Sequence, residues 1–414
     1  MWVRKRIDIG WLDLLSAAVN CLRPGSRASA CDATEAAWST DGRAFVCLSV
    51  RTGLDLVLKG LNLPAGSEVL ISAITIPDMV RIIEHHGLVP VPIDLHACDM
   101  SPQADLLESA VTTKTRAILL AQLLGGRFDL APFVNFARQH SLILLEDCAQ
   151  AFEGDRYRGN DEADVSMFSF GPIKTATALG GGLFRVRDAS LLKRVRELQS
   201  EYPVQSRWFF LKRVLFYSVL HWLGGQMMFS LFFQACRILG RDLDKVLNGS
   251  IRNFPQAEFF KRLREQPSQP LLRLIARRIR TYRNDDLDRR AARGHLLASL
   301  LPLGSCPGGE ATPHSFWIFP LQVSDQPATV AALQAAGFDS TTGSSLQTIE
   351  PPQDRPGLEP RVARRLLAPA IYLPLYPAIP ESEIRRMAKV LTVLDLSSSR
   401  EQQGRGKRQC TKVT

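Results

Sequence analysis

The stretch LILLEDCAQ, residues 142–150, decides the fold class. A short run of apolar residues ended by polar residues is typical of a strand that is buried on both faces. Asp147 follows this run, at a position where a carboxylate is costly to bury unless a cation meets it. The stretch therefore predicts a central strand of a parallel sheet, with a candidate functional side chain at its carboxyl end.

Similar runs precede this strand, and helical patterns separate them. The strand-like runs are EVLISAI (68–74), VPVPIDL (89–95) and AILLAQLLG (117–125). The helix-like segments are DMVRIIEHHG (78–87), SPQADLLESAV (101–111) and DLAPFVNFARQH (129–140). Strands and helices in alternation predict an α/β domain with a mainly parallel sheet.

A second stretch, SMFSFGPIKTATALGGG (166–182), places a single lysine in apolar surroundings. Lys174 is either a residue whose stem is buried while its ammonium reaches water, or a catalytic amine. Asp147 is likewise either a cap of the next helix or the acidic partner of a protonated heterocycle nitrogen. The lysine downstream, with three glycines after it, favours the functional interpretation of Asp147.

Together these segments resemble the DegT-type (DegT/DnrJ/StrS) sugar aminotransferases, which are fold-type I enzymes that use pyridoxal 5'-phosphate (PLP). The family pattern EDxAQA, FSF…K and TGEGG is similar to EDCAQA (146–151), FSFGPIK (168–174) and ALGGG (178–182) here. The resemblance covers residues 35–200 well and 280–395 loosely. It implies an α/β fold of the aspartate aminotransferase type, with a large PLP-binding domain and a small C-terminal α/β domain.

The resemblance also implies roles for four residues around the cofactor ring and phosphate. Lys174 is similar to the lysine that forms the Schiff base with PLP. Asp147 is similar to the partner of the pyridinium nitrogen, and Gln150 to the residue that contacts the ring hydroxyl. Ser169 is similar to the residue whose hydroxyl holds the cofactor phosphate.

The segment CLSVRTGLDLVLKGL (47–61) resembles the family's phosphate-binding loop and helix start. Backbone N–H groups at a helix N-terminus bind phosphate readily, and Ser49, Arg51 and Thr52 lie at that point. Arg51 would add a charge-assisted hydrogen bond. Val50 stands where the family has glycine, and Ile76 stands where an aromatic residue stacks on the ring. These departures indicate a divergent member.

The function that the resemblance implies is transfer of an amino group from an amino acid, glutamate in the family, to a keto-sugar. The acceptor would be linked to a nucleotide or a lipid, in the synthesis of a cell-surface glycan, a lipopolysaccharide or a secondary metabolite, and the enzyme would be a homodimer. Two alternatives stay open: a catalytically silent sensor or scaffold, and a PLP-dependent sugar dehydratase. Related dehydratases usually lack the lysine, so Lys174 favours transamination.

Composition adds limits on partners and location. The 414-residue chain has a formal net charge of +10, which suggests an anionic partner, but no nucleic-acid-binding module is recognisable. Its eight cysteines are scattered without metal-site spacing, so we expect no metal and a reduced cytoplasmic protein. The N-terminus imitates a signal peptide, but Asp8 and Asp13 interrupt its apolar run, which favours an amphipathic first helix.

We divide the chain into a large domain (1–200), an apolar insert (201–250), the remaining helices with the small domain (251–396) and a disordered basic tail (397–414). In the small domain, His314, Phe316 and Trp317 either face the substrate or belong to the core of a strand. Arg252 and Asn253 are weak candidates for the element that completes a partner subunit's site.

The insert contains VLFYSVLHWLGGQMMFSLFFQAC (214–236), which has no charged residue. Basic pairs flank it, Lys212 with Arg213 and Arg237 with Arg241. Three interpretations stay open: an interfacial hairpin on the inner face of the membrane, a buried cap or dimer contact, and a patch that binds a partner protein. The basic flanks favour the first, because cations beside an apolar element bind anionic headgroups.

Overall fold

The computed structural model describes residues 1–4, 6–225, 230, 258–342 and 345–394. Most of the second half of the apolar insert lies outside these residues, as do Arg237, Arg241, Arg252 and Asn253 and the basic tail. The predictions made for them are therefore not tested.

The helices are numbered along the described residues. They are α1 (Trp11–Leu22), α2 (Arg27–Trp38), α3 (Val50–Leu61), α4 (Pro77–His85), α5 (Leu107–Ala110), α6 (Ala131–Gln139), α7 (Ala189–Ser200), α8 (Arg207–Leu223), α9 (Phe259–Leu263), α10 (Gln269–Thr281), α11 (Asn284–Ser299), α12 (Gln326–Ala335), α13 (Arg361–Leu367) and α14 (381–394). The strands are β1 (Ala44–Cys47), β2 (Glu68–Ser72), β3 (Ile74–Thr75), β4 (Val89–Ile93), β5 (Thr115–Ala121), β6 (Ile143–Asp147), β7 (Val165–Ser169), β8 (Gly182–Val186), β9 (Phe319–Gln322), β10 (Gln347–Thr348) and β11 (Ala370–Leu373).

A seven-stranded sheet organises the first half of the chain, in the order β1-β8-β7-β6-β5-β2-β4. Strand β8 pairs antiparallel with both β1 and β7, and the other pairs in this sheet are parallel. The α/β class with a mainly parallel sheet is thus confirmed. The four apolar runs predicted as strands are β2, β4, β5 and β6, and β6 lies at the centre.

Helices cover both faces of this sheet, as parallel strands require. Side chains of α3, α4 and α7 form one hydrophobic cluster with Phe184 of β8 and Leu119 of β5. On the opposite face, α1, α2 and α10 form a second cluster with Phe168 of β7 and Leu183 of β8. Helix α10, which follows the insert, therefore packs on the large sheet.

The helix expected over SPQADLLESAV is shorter than predicted and begins as a 3-10 helix. This segment forms a single 3-10 turn (Ala104–Leu106) followed by the four-residue α5. Asp99 accepts hydrogen bonds from the amide and the hydroxyl of Ser101, at 2.9 and 2.7 Å, and these bonds hold the preceding residues in a turn. Local side-chain bonds of this kind compete with helix formation.

The predicted amphipathic first helix is α1, although it begins only at Trp11. Asp13, which the sequence suggested as an interruption, is buried and accepts hydrogen bonds from Arg277 and Arg278 at 2.6 and 2.7 Å. The acid therefore fixes α1 to α10. None of the helices in the described part of the chain is long and apolar enough to cross a membrane.

The C-terminal part forms a separate hydrophobic core around β9 and β11. These strands pair antiparallel, and Phe319, Leu321 and Ile371 pack there with residues of α14. The N-terminus joins this core, because the Trp2 amide donates a hydrogen bond to the Gly337 carbonyl at 2.8 Å. The prediction of a small C-terminal domain thus agrees with the described core, while its boundaries stay a prediction.

The last two glycines of the GGG run, Gly181 and Gly182, have no room for a side chain. Gly181 has φ +99°, and an added Cβ would lie 2.4 Å from Cδ1 of Ile275. At Gly182, the added Cβ would lie 2.8 Å from the backbone of Ser49 and Val50. Glycine here brings β8 against the start of α3.

We predict that Gly181→Ala lowers the free energy of unfolding by about 3 kcal/mol, because it adds both backbone strain and a clash. Gly304→Ala is the matched control: its φ is +77°, but no atom lies within 4 Å of the added Cβ. The control should cost only about 1 kcal/mol. Urea unfolding monitored by circular dichroism measures both, and equal losses would contradict the packing account.

Candidate active site

The carboxyl ends of three strands and the start of one helix meet at one edge of the large sheet. Asp147 ends β6 and Ser169 ends β7, while Ser49 follows β1 and caps α3. Strands β1, β6 and β7 all point the same way, so their ends lie at the same edge. The loop from β7 to β8 carries Lys174 to this edge.

Lys174 and Asp147 influence each other's protonation. The pKa of the Lys174 amine is lowered to about 8, because burial and, to a smaller extent, the Arg51 charge outweigh the opposing effect of the Asp147 carboxylate. Burial raises the pKa of Asp147, against a hydrogen bond of 2.8 Å from the Ala149 amide and the charge of Lys174. The sequence prediction that a cation meets Asp147 agrees with this geometry.

Backbone hydrogen bonds fix the loop that carries the lysine. The Phe170 carbonyl accepts from the amides of Ala178 and Gly180, both at 3.0 Å. The Gly181 amide donates to the Leu48 carbonyl at 2.8 Å, and the Ala176 amide donates to the Asp8 carboxylate at 2.8 Å. The loop is therefore held against both the α3 start and the N-terminal segment.

The start of α3 is capped and carries an ion pair. Ser49 accepts a hydrogen bond from the Thr52 amide at 3.1 Å, as an N-cap serine does. Arg51 lies 2.5 Å from Asp78 of α4, with both side chains about one third exposed. The Thr52 hydroxyl is fully buried and donates to the Leu263 carbonyl at 2.9 Å.

Val50 is compatible with this loop, although the family has glycine there. It is the first residue of α3, and it is not among the residues with positive φ. No left-handed conformation is needed at this position, so a β-branched side chain adds no backbone strain.

The other residues predicted at the site lie at the same edge or close to it. Gln150 accepts a hydrogen bond from the Leu124 amide at 2.9 Å through Oε1, so its Nε2 is the atom available to a ligand. Ser169 is partly exposed and accepts a weak bond of 3.4 Å from the Gly171 amide. Ile76 caps α4 and packs partly buried against the hydrophobic cluster of α3 and α4.

Trp317 reaches this site from the C-terminal part of the chain. Its ring centroid lies 4.1 Å from Nζ of Lys174, and its indole N–H donates to the Ile173 carbonyl at 3.0 Å. Phe316 belongs instead to the small core, fully buried and stacked on His314 at 3.8 Å. Of the three C-terminal side chains considered from sequence, Trp317 alone contacts the catalytic candidates.

Sequence reasoning missed two other residues of the site. Arg213 of α8 donates to the Leu179 carbonyl at 3.3 Å, and burial and the Arg51 charge lower its pKa. Glu146 lies on the opposite face of β6 from Asp147 and is fully buried. It accepts hydrogen bonds from Tyr157, Ser166, Asn160 and Gln122 at 2.5 to 3.2 Å. No local sequence pattern indicates that Arg213 contacts this loop. For Glu146 a signal exists, because neighbouring residues of a strand point to opposite faces, which places Glu146 and Asp147 on different sides of the sheet.

Metal-ligand clusters are not found among the described residues. No group of three or more His, Cys, Asp and Glu side chains there could hold a metal ion.

With this geometry established, the chain can be compared with known proteins. Residues 18–210 match the DegT/DnrJ/EryC1/StrS aminotransferase family model. The resemblance predicted from the sequence is thereby confirmed over that range, which contains every residue predicted to contact the cofactor.

Similarity to individual curated relatives covers less than half of the chain. The chain is 30% identical over 171 residues to a protein named GDP-perosamine synthase from Caulobacter vibrioides. The aligned residues make up 40% of this chain and 46% of the relative. The chain thus spans less than half the length of this curated relative.

Solved structures show the fold across almost the whole chain. The aminotransferase TlmJ from Streptoalloteichus hindustanus has a TM-score of 0.69 and 18% identity, covering 96% of this chain and all of that one. The protein Spr1654 of Streptococcus pneumoniae, described as a PLP form, has a TM-score of 0.65 and 16% identity, covering 94% and 97%. The fold is therefore the fold-type I transferase fold.

The side chains at the edge of the sheet fit PLP chemically. The aldehyde of PLP requires an amine, and its ring nitrogen requires a carboxylate. The ring hydroxyl requires a hydrogen-bond donor, and the phosphate group requires cations and backbone N–H groups. Lys174, Asp147, Gln150 and Arg51 supply these groups. Thr175, beside Lys174, is buried with no partner for its hydroxyl among the described residues, as expected where a polar ligand binds.

We predict that the Lys174 amine of PLP-free protein titrates near pH 8 rather than at the ordinary value of 10.5. Asp147→Asn should lower this midpoint further, because the carboxylate stabilises the ammonium form. Competitive acetylation at a series of pH values, read by peptide mass spectrometry, measures it. Glu162→Gln, which removes an exposed carboxylate paired with Arg138, is the control. A midpoint near 10.5, or one that Asp147→Asn leaves in place, would contradict the account.

Proposed function

We propose that this protein is a PLP-dependent aminotransferase that moves an amino group from an amino acid to a keto-sugar. The observation that carries the proposal is the pairing of Lys174 with Asp147 at the carboxyl edge of the sheet. An amine whose pKa burial lowers to about 8 has a large neutral fraction near physiological pH, and only the neutral form is a nucleophile.

When bound, PLP supplies an aldehyde that takes up the amino group and a ring that accepts negative charge. The role of Asp147 is to keep a proton on the ring nitrogen by accepting its hydrogen bond, so that the ring can accept this charge. Lys174 would hold the cofactor through its amine and, as a free amine, would carry a proton to and from the substrate carbon.

Other residues of the edge hold and orient the cofactor. Ser49, Ser169 and the amides at the start of α3 contact the phosphate, and Arg51 contributes positive charge. The Thr52 hydroxyl is not available to the phosphate, because it donates to the Leu263 carbonyl, so Thr52 would act only through its place in the first turn of α3. Gln150 donates to the ring hydroxyl, and Ile76 packs against the ring.

The proposed donor is glutamate, and the proposed acceptor is a keto-sugar linked to a nucleotide or a lipid. The name of the Caulobacter relative, GDP-perosamine synthase, supports a nucleotide-linked sugar. The product would serve a cell-surface glycan, a lipopolysaccharide or a secondary metabolite. The protein would work as a homodimer in the cytoplasm, in peripheral contact with the inner face of the membrane.

Two other functions are less well supported. A catalytically silent sensor or scaffold has no need of a lysine and a carboxylate that are both withdrawn from water at one sheet edge, since this is costly for each charge. A sugar dehydratase of the same fold would not use the amine at position 174. The intact pair therefore favours transamination.

We predict that the purified protein carries PLP on Lys174. Borohydride reduction followed by peptide mapping should place the pyridoxyl group on the peptide that contains this residue. Lys174→Ala should remove the label, whereas Lys59→Ala, a change of an exposed lysine on α3, should keep it. A label on another lysine would overturn the assignment.

We predict that Asp147→Asn retains the cofactor but lowers the transamination rate at least about 10²-fold, the scale expected when a stabiliser of developing charge is lost. Stopped-flow measurement of the reaction with glutamate gives the rate, and absorbance of bound PLP gives the occupancy. Glu162→Gln serves as the control. An unchanged rate in Asp147→Asn would remove the proposed role.

A further inference from the structure

Two neighbouring helices carry most of the exposed large apolar side chains. Within the described ranges, ten of the fourteen exposed large hydrophobic residues belong to α1 and α8. They are Trp11, Leu12, Leu15 and Leu22 of α1, and Trp208, Phe209, Leu215, Phe216, Val219 and Trp222 of α8. We call these ten side chains the α1–α8 face. Single exposed apolar residues are ordinary, but a contiguous group marks an interaction surface.

The two helices pack side by side in opposite directions. The Trp11 ring at the start of α1 meets the His221 ring at the end of α8, with centroids 4.9 Å apart. At the other end, the Arg207 charge at the start of α8 acts on the Cys21 thiol near the end of α1. The exposed side chains of the two helices therefore belong to a single surface.

The outward side of α8 does not contribute to the core. Phe210, Val214 and Tyr217 are buried on the inward side and pack in the cluster beneath the sheet. Trp208 and Val219, at helical spacing on the other side, are 51% and 56% exposed. Folding of the described residues thus leaves this row of apolar side chains in water.

The exposed charged side chains of the two helices themselves are cations. Helix α8 has no acidic residue, and the acidic residue of α1, Asp13, is buried in ion pairs with Arg277 and Arg278. Exposed cations lie on and beside the two helices: Arg6, Arg23, Arg207 and Lys212. The face therefore suits a partner that combines apolar groups with negative charge.

We propose that the α1–α8 face docks on a membrane surface that contains anionic lipids. Tryptophans favour the boundary between headgroups and acyl chains, and the cations complement the anionic headgroups. A second copy of the chain suits the face less well, because a two-fold contact would bring the same cations together without carboxylates. The proposal rests on the membrane contact given under the proposed function and identifies its residues.

Docking through this face would bring the membrane close to the active site. Helix α8 presents its outward row to the lipid and, through Arg213, contacts the Leu179 carbonyl of the loop that carries Lys174. A substrate held in the same membrane would meet the site near the surface.

Sedimentation with lipid vesicles tests the proposal without any substrate, so its failure would leave the proposed transamination standing. The intact chain should bind mixed phosphatidylglycerol and phosphatidylcholine vesicles at least about 10-fold better than phosphatidylcholine vesicles, and salt should weaken the binding. The double change Leu215→Ser with Val219→Ser should lower binding at least about 10-fold, because both side chains enter the lipid boundary. Arg207→Glu with Lys212→Glu should do the same by reversing charge.

Matched controls change exposed residues away from the face. Leu303→Ser with Val393→Ser removes apolar side chains that are 96% and 66% exposed, and Lys114→Glu with Lys389→Glu reverses two exposed charges. Both control proteins should bind like the intact chain. Absence of vesicle binding by the intact chain would overturn the proposal. So would a lower melting temperature of Leu215→Ser with Val219→Ser, which would show that the chain covers the face. Dissociation of an oligomer by these changes would show that a second copy does.

Discussion

The charge interaction between one amine and one carboxylate, Lys174 and Asp147, is the constraint on which the rest of the structure depends. Each charge is costly to bury alone, and each shifts the other's pKa toward its charged form. Bringing them together requires strand β6 at the centre of the sheet and a loop after β7 that returns across the same edge. The glycines that end this loop allow β8 to approach the start of α3.

Several cations lie close together at the same edge of the sheet. The Arg51 charge on α3 lowers the pKa values of two neighbouring cations, Lys174 and Arg213 of α8, and this repulsion is unfavourable unless an anion joins them. A phosphate at the start of α3 would relieve this repulsion. The Arg51–Asp78 pair gives partial compensation and connects α3 to α4.

Sequence predicted the parts of the structure that depend on local patterns. The apolar run before Asp147, the single lysine before three glycines and the helix start at Ser49 each carry their signal within a few residues. Contacts between distant segments had no such signal, so Arg213 and the Glu146 hydrogen-bond network were not foreseen, and the sequence left Trp317 between a substrate-facing position and the core of a strand. Only the α8 part of the α1–α8 face could be predicted, because the apolar insert is evident in the sequence. The exposed side of α1 could not, because it depends on how that helix packs against α8 and α10. Asp13 was taken as a break in an apolar run, because its arginine partners lie more than 250 residues away.

Transfer of a labelled amino group tests the central claim most directly. Protein loaded with PLP is mixed with ¹⁵N-glutamate, and the released cofactor is analysed by mass spectrometry for pyridoxamine phosphate that contains ¹⁵N. The account predicts that the label enters the cofactor of the intact protein, that Lys174→Ala fails to transfer it, and that Trp317, which contacts the amine, influences the rate when it is changed to Phe. Bound PLP that gains no ¹⁵N from glutamate or from any other amino acid would contradict the account and would favour a silent sensor or scaffold.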